Sequence, residues 1–217
     1  MTNNFDLYKQ YITPDFANST LPEGDMYFVV ELMRRGKDNP DLPAANYHFK
    51  NYYIRKPEDL DKYRDEIIQL CDMFRMRAYA SVNYKSFRQV SLDTMAELAR
   101  RVANNDFKKN YNVYESCSGS YCHSENKRWV IDLDDCTMND ETVKHCMNVL
   151  FEVKPNIPGK ILAQLPSKSG VHLITRPFDR KAFDDAYNSQ DIKLLEKRFY
   201  PLPDIKKNHL TLLYENL

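Results

Sequence analysis

The chain has 217 residues, of which 42% are hydrophobic and 29% charged, a balance that supports a folded core and excludes wholesale disorder. Lysine plus arginine and aspartate plus glutamate both number 31, so a bulk-basic nucleic-acid coat is excluded while a local basic cleft is not. The longest apolar runs, such as Tyr27 to Val30 and Trp129 to Ile131, fall far short of the about 18 residues a membrane helix needs, and Met1 to Asp6 lacks a signal-peptide pattern.

Residues 1–25, punctuated by Pro14, Pro22 and Gly24, read as an irregular arm, which leaves 26–217 as a single domain. Met26 to Met33 (MYFVVELM) is aromatic and β-branched, the signature of a buried strand, and a second strand is expected over Tyr47 to Ile54. Pro57 opens a helix with the apolar stripe Leu60, Tyr63, Ile67, Leu70, Cys71 and Phe74. Arg77 to Tyr84 reads as a strand. Ser91 is the expected cap of a helix with inner face Leu92, Met95, Leu98 and Val102.

The polar stretch 104–126 reads as loop, with a short strand around Tyr111 to Ser116. Arg128 to Leu133 is the clearest strand of the chain. Asn139 or Asp140 caps a helix that uses Val143, Met147, Leu150 and Phe151. Ile161 to Leu165 and Val171 to Thr175 flank Pro166-Ser167-Lys168-Ser169-Gly170, a hairpin signal. A polar helix over Arg180 to Arg198 and a final strand, Leu210 to Tyr214, complete the pattern. The alternation predicts an α/β (α+β) domain, a mixed β-sheet flanked by helices.

Two clusters carry chemistry. Trp129-Val130-Ile131-Asp132-Leu133-Asp134-Asp135 runs an apolar strand into acids, and alternation puts Asp132 and Asp134 on one face about 7 Å apart along the chain. Carboxylates held that close call for a cation, and an all-oxygen set suits Mg²⁺ or Mn²⁺. Such a site can bind a nucleoside triphosphate and assist in-line displacement at phosphorus; a solvated acidic turn fits the same residues. The second cluster is the hairpin. Ser169 and Gly170 permit a tight turn with exposed amides, Lys168 adds a mobile charge, and His172 lies on the following strand. A core-edge histidine beside a solvated lysine is the plainer account of that cluster.

The order of the two motifs resembles the archaeo-eukaryotic primase (primase–polymerase) superfamily. Its acidic pair matches Ile131-Asp132-Leu133-Asp134, and its small-residue turn into a histidine matches Lys168-Ser169-Gly170-Val171-His172. A third acid of that family corresponds to Asp204, with Glu215 as competitor. The resemblance implies a small primase-like catalytic core with an RRM-like half. Asp132, Asp134 and Asp204 would then be metal ligands, and Asp132, Asp134, His172 and Asp204 catalytic. Lys168, Ser169, Gly170 and His172 would hold the triphosphate. It also implies nucleoside triphosphates and a single-stranded nucleic-acid template as partners, with a helicase or replisome protein as a further one.

Arg34, Arg35 and Lys37 follow one predicted strand, Arg75 and Arg77 open another, and Lys85 and Arg88 lie beyond it. On one side of the sheet they would form a rim for a template backbone, with tyrosines for stacking. Five cysteines without an export signal predict free thiols and a cytoplasmic protein. Zinc would draw on Cys117, Cys122 and His123 before the acidic strand, or Cys136, His145 and Cys146 after it, although no CxxC knuckle is present. Three readings follow from these residues: a template-dependent nucleotidyltransferase, a metal-dependent nuclease, and a catalytically degenerate primase fold that grips nucleic acid.

Overall fold

The computed structural model describes residues 1–41, 46–121, 127–187, 189 and 201–216. Among these the chain is mixed α/β, with six α-helices and two sheets in which every strand pair is antiparallel. Two antiparallel sheets stand in place of the expected single mixed sheet. Each helical crossover that starts and ends in one sheet passes over at least one strand, so parallel neighbours never pair directly.

The first sheet has the order β1 (Thr2–Asn3), β10 (Leu210–Glu215), β4 (Arg77–Ser81), β2 (Met26–Arg34), β3 (Tyr47–Ile54), with β5 (Lys85–Ser86) also pairing with β2. Helix α2 (Glu58–Phe74) returns from β3 to β4 and buries Leu60, Ile67 and Cys71, while Phe74 stays exposed. Residues 1–25, expected as an irregular arm, hold helix α1 (Phe5–Ala17). Its Phe5, Tyr8, Tyr11 and Ile12 enter the core. An interior proline costs about 3 kcal/mol. Burying four large side chains at roughly 1.5–3 kcal/mol each outweighs it.

Ser86, not Ser91, caps helix α3 (Phe87–Ala103), its hydroxyl accepting from the Gln89 amide at 3.0 Å. The helix therefore buries Val90, and Leu92, Met95 and Val102 face solvent. The segment expected as a strand near Tyr111 is helix α4 (Val113–Ser120), preceded by a single 3₁₀ turn. No helix among the described residues is long and apolar enough to cross a membrane.

The second sheet is built from β6 (Trp129–Asp134), α5 (Glu141–Glu152), β7 (Ile161–Pro166), β8 (Gly170–Thr175), α6 (Arg180–Tyr187) and β9 (Asp204–Lys207), in the order β7-β8-β6-β9. This is a split β-α-β-β-α-β unit. Asp140 caps α5, its carboxylate accepting from the Thr142 amide at 3.0 Å. Of the helix expected over 180–198, α6 accounts for 180–187, and residues 190–198 lie outside the described residues.

Alternation along β6 divides two cores. Ile131 and Leu133 pack with Val143, Val149, Leu150 and Phe183 from α5 and α6. Val130 points the other way, joining Leu165 and Ile174 in the core beneath the first sheet. Asp132 and Asp134 share the side of Val130, so the acids face the first sheet where its hydrophobic filling ends. The chain then crosses between sheets in two residues, Asn208 and His209, with Asn208 in the left-handed region at φ 48°. That short crossing sets β10 close to the acids.

Candidate active site

Sheet register places three side chains in one row. Asp132 on β6 is opposite His172 on β8 and opposite Asp204 on β9. Asp132 Oδ1 lies 3.2 Å from His172 Nε2. The imidazole is buried, and its Nδ1 lies 2.9 Å from the Thr211 hydroxyl of β10. With Nε2 donating to Asp132, Nδ1 of a neutral ring accepts from Thr211. Thr211 fixes the ring, and nothing in the sequence distinguishes it from any other strand threonine.

The second Asp132 oxygen is also engaged. Lys206 donates to Asp132 Oδ2 at 2.6 Å and stands 3.6 Å from Asp204 Oδ2. Lys206 follows Asp204 by two residues on β9, so the alternation that pairs Asp132 with Asp134 also put Lys206 on the row's face. The Asp132 carboxyl is held well below the usual aspartate range, first by the His172 hydrogen bond and then by Lys206, against partial burial that pushes it up. Burial pulls the Lys206 ammonium down, but its bond to Asp132 and the charges of Asp132 and Asp204 overcome this and raise it.

A depressed folded-state carboxyl stabilises the fold above its unfolded value of about 4, and that contribution drains away as pH falls below it. Thermal melts from pH 6 to pH 2 should therefore fall less steeply for Asp132→Asn than for the parent chain. Parallel curves would mean that the row contributes no pH-dependent stability.

Asp134 is exposed at the mouth of the hairpin, where the Ser169 hydroxyl lies 3.5 Å from its Oδ1. The turn is closed by the Ser167 amide donating to the Gly170 carbonyl at 2.8 Å. Gly170 faces Asp134 in the register, and a Cβ on it would stand 1.8 Å from the Leu133 carbonyl oxygen. Lys168 reaches across to the 3₁₀ turn after β2 and pairs with Asp38 Oδ1 at 3.1 Å.

The basic residues divide into two sets. Antiparallel pairing of Met33 with Arg77 brings Arg34, Arg35, Lys37, Arg75 and Arg77 to one end of the first sheet, the end tied to the hairpin by Lys168. Arg77 itself does not belong to a template rim. Its guanidinium is buried, 2.6 Å from Asp38 and 3.2 Å from Glu215. Glu215 is thereby committed to Arg77 on the first sheet, which leaves Asp204 as the acid in the row.

Arg35 donates to the Tyr79 hydroxyl at 3.1 Å, Arg34 lies over the Tyr47 ring, and Arg75 pairs with Asp41 at 3.2 Å. Lys37 is exposed. At the far end, Lys85 is buried and donates to the Ser118 carbonyl at 2.5 Å, so it too leaves the predicted rim.

Among the described residues no group of three His, Cys, Asp or Glu side chains is arranged to hold one metal ion. For zinc, Cys122 and His123 lie outside the described residues. Cys146 is buried in the α5 core, where burial raises its thiol, and the His145 ring lies 3.2 Å from the Tyr187 carbonyl. For a divalent cation, the chemistry of the row does fit. An ammonium already stands between Asp132 and Asp204, which marks that space as one where positive charge is stabilised. No protein-family model, curated protein or solved structure matches the chain.

Proposed function

We propose that the chain is a primase–polymerase-like nucleotidyltransferase that makes or extends strands on a single-stranded template. The observation that carries the reading is the contact between Asp132 and His172. Two motifs 40 residues apart, read from the sequence as an acidic pair and a small-residue turn into histidine, meet at 3.2 Å on one face of one sheet. The split β-α-β-β-α-β unit around them suits the RRM-like half of such a core. The cationic end of the first sheet, joined to the hairpin through Lys168, suits a template backbone.

In this reading Asp132, Asp134 and Asp204 would hold Mg²⁺ or Mn²⁺, whose chemistry when bound would be to activate a 3′-hydroxyl and stabilise the leaving pyrophosphate. Lys168, the Ser169 hydroxyl and the turn amides then bind triphosphate oxygens. His172, aimed by Thr211, would donate to the triphosphate from Nε2. The test is incorporation of labelled nucleotide on a single-stranded template with Mn²⁺. The parent should extend and the Asp132→Ala/Asp134→Ala variant should not; equal incorporation by both removes the reading.

A second reading draws on a different observation. Both Asp132 oxygens are already engaged, by His172 and by Lys206, which suits a degenerate site kept for gripping nucleic acid. That protein would bind single strands as well after the double substitution, and the parent would incorporate nothing.

A further inference from the structure

Lys206 places a positive charge between two acids of the proposed site. Its ammonium is 2.6 Å from Asp132 Oδ2 and 3.6 Å from Asp204 Oδ2, and the register that sets these acids opposite each other leaves no other basic side chain in ion-pair contact with either carboxylate among the described residues, His172 apart. The side chain is 29% exposed, so it can swing to solvent without opening the core. In the free protein the other Asp132 oxygen is held by His172.

We propose that Lys206 is a tethered counter-ion of the acidic row, exchanged for the metal when the metal arrives with a triphosphate. This rests on the nucleotidyltransferase reading and adds an order of events to it. In the free protein Lys206 neutralises Asp132 and Asp204 and competes with any divalent ion. With a metal–triphosphate complex bound, Asp132 and Asp204 would hold the metal, and Lys206, released from them, would be free to pair with a phosphate oxygen. Metal alone is therefore held weakly and metal with nucleotide strongly, which keeps the acids from gathering metal between turnovers.

The test is Mn²⁺ binding, read by the electron paramagnetic resonance of the free ion, on the parent, Lys206→Met and Lys206→Arg. Methionine keeps most of the apolar stem and removes the charge; arginine keeps the charge and controls for substitution at this position. Lys206→Met should bind Mn²⁺ alone roughly tenfold more tightly than the parent, the effect of deleting one positive charge a few ångströms from the ion. Lys206→Arg should bind like the parent. With a triphosphate whose α,β-bond cannot be cleaved, Lys206→Met should lose nucleotide affinity.

Equal or weaker Mn²⁺ binding by Lys206→Met overturns the counter-ion proposal and leaves the metal site standing. Failure of all three proteins to bind Mn²⁺, with or without the triphosphate, overturns the nucleotidyltransferase reading and this proposal together. Melting curves of the three proteins establish that they are folded.

Discussion

Gly170→Ala should lower stability by about 3 kcal/mol, the upper part of the range for forcing a side chain into a packed backbone contact. The melting temperature would fall by roughly 10 °C for a chain of this size. The cause is steric and local. A methyl group at residue 170 would lie 1.8 Å from the Leu133 carbonyl oxygen, 2.9 Å from its carbon and 3.0 Å from the Asp134 Cα, all of them backbone atoms. No rotamer change relieves that clash, so β8 must move away from β6.

The shift would fall at the register pair Asp134–Gly170, where the turn meets the second acid, and two residues from the Asp132–His172 pair. Loss of nucleotide incorporation should therefore accompany the loss of stability. A variant with unchanged melting would mean that the strands part without cost, and the contact would no longer explain why glycine stands in the turn. The requirement for glycine is thus satisfied by packing before any phosphate is considered. Exposed turn amides follow from the same bare backbone.

What was legible in the sequence was legible through periodicity. The alternation Val130, Asp132, Asp134 against Ile131, Leu133 sorted side chains correctly because β6 is covered on both faces and each face has a different fate. The hairpin at 166–170 and the Asp140 cap were readable because turns and helix starts depend on a few adjacent residues. Helix α1 was hidden because Pro14 carries a strong local signal, whereas the burial of Tyr8 and Ile12 depends on sheets formed far along the chain.

Helix α3 shows the opposite failure. Leu92, Met95 and Val102 make a stripe of good helical spacing, but the side that packs is set by the cap at Ser86 and by Val90. In the site, the missed residues are those whose role comes from a second sheet. Thr211 meets His172 because the chain crosses from β9 to β10 in two residues, and Asp38 meets Lys168 across the sheets. Only Lys206 left a trace, two residues from Asp204 on a strand.

Arg77→Met should cost roughly 3–5 kcal/mol, the penalty for removing one partner of a buried ion pair. The guanidinium sits between Asp38 and Glu215 with all three side chains nearly closed to solvent, at 6%, 7% and 3% exposure. It also donates to the Tyr79 hydroxyl at 3.2 Å, which accepts from Arg35 as well. Methionine fills much of the volume but takes the guanidinium away from both buried carboxylates.

Asp38 retains Lys168, 41% exposed, as a partner, so part of the charge is compensated at the expense of a lysine otherwise able to reach the turn. Glu215 has no such alternative among the described contacts. Replacing both neighbours together with Arg77, as Asp38→Asn/Arg77→Met/Glu215→Gln, should recover much of the lost stability, because the penalty lies in the unpaired charges and not in the missing attraction. A residue serving only as a template contact would behave otherwise. Its loss would leave the melt unchanged and would weaken strand binding with a shallower salt dependence. Denaturant melts of the single and triple variants beside the parent separate these cases. An Arg77→Met protein as stable as the parent would return Arg77 to the nucleic-acid surface and remove the buried ion-pair network from the account of what holds the first sheet together.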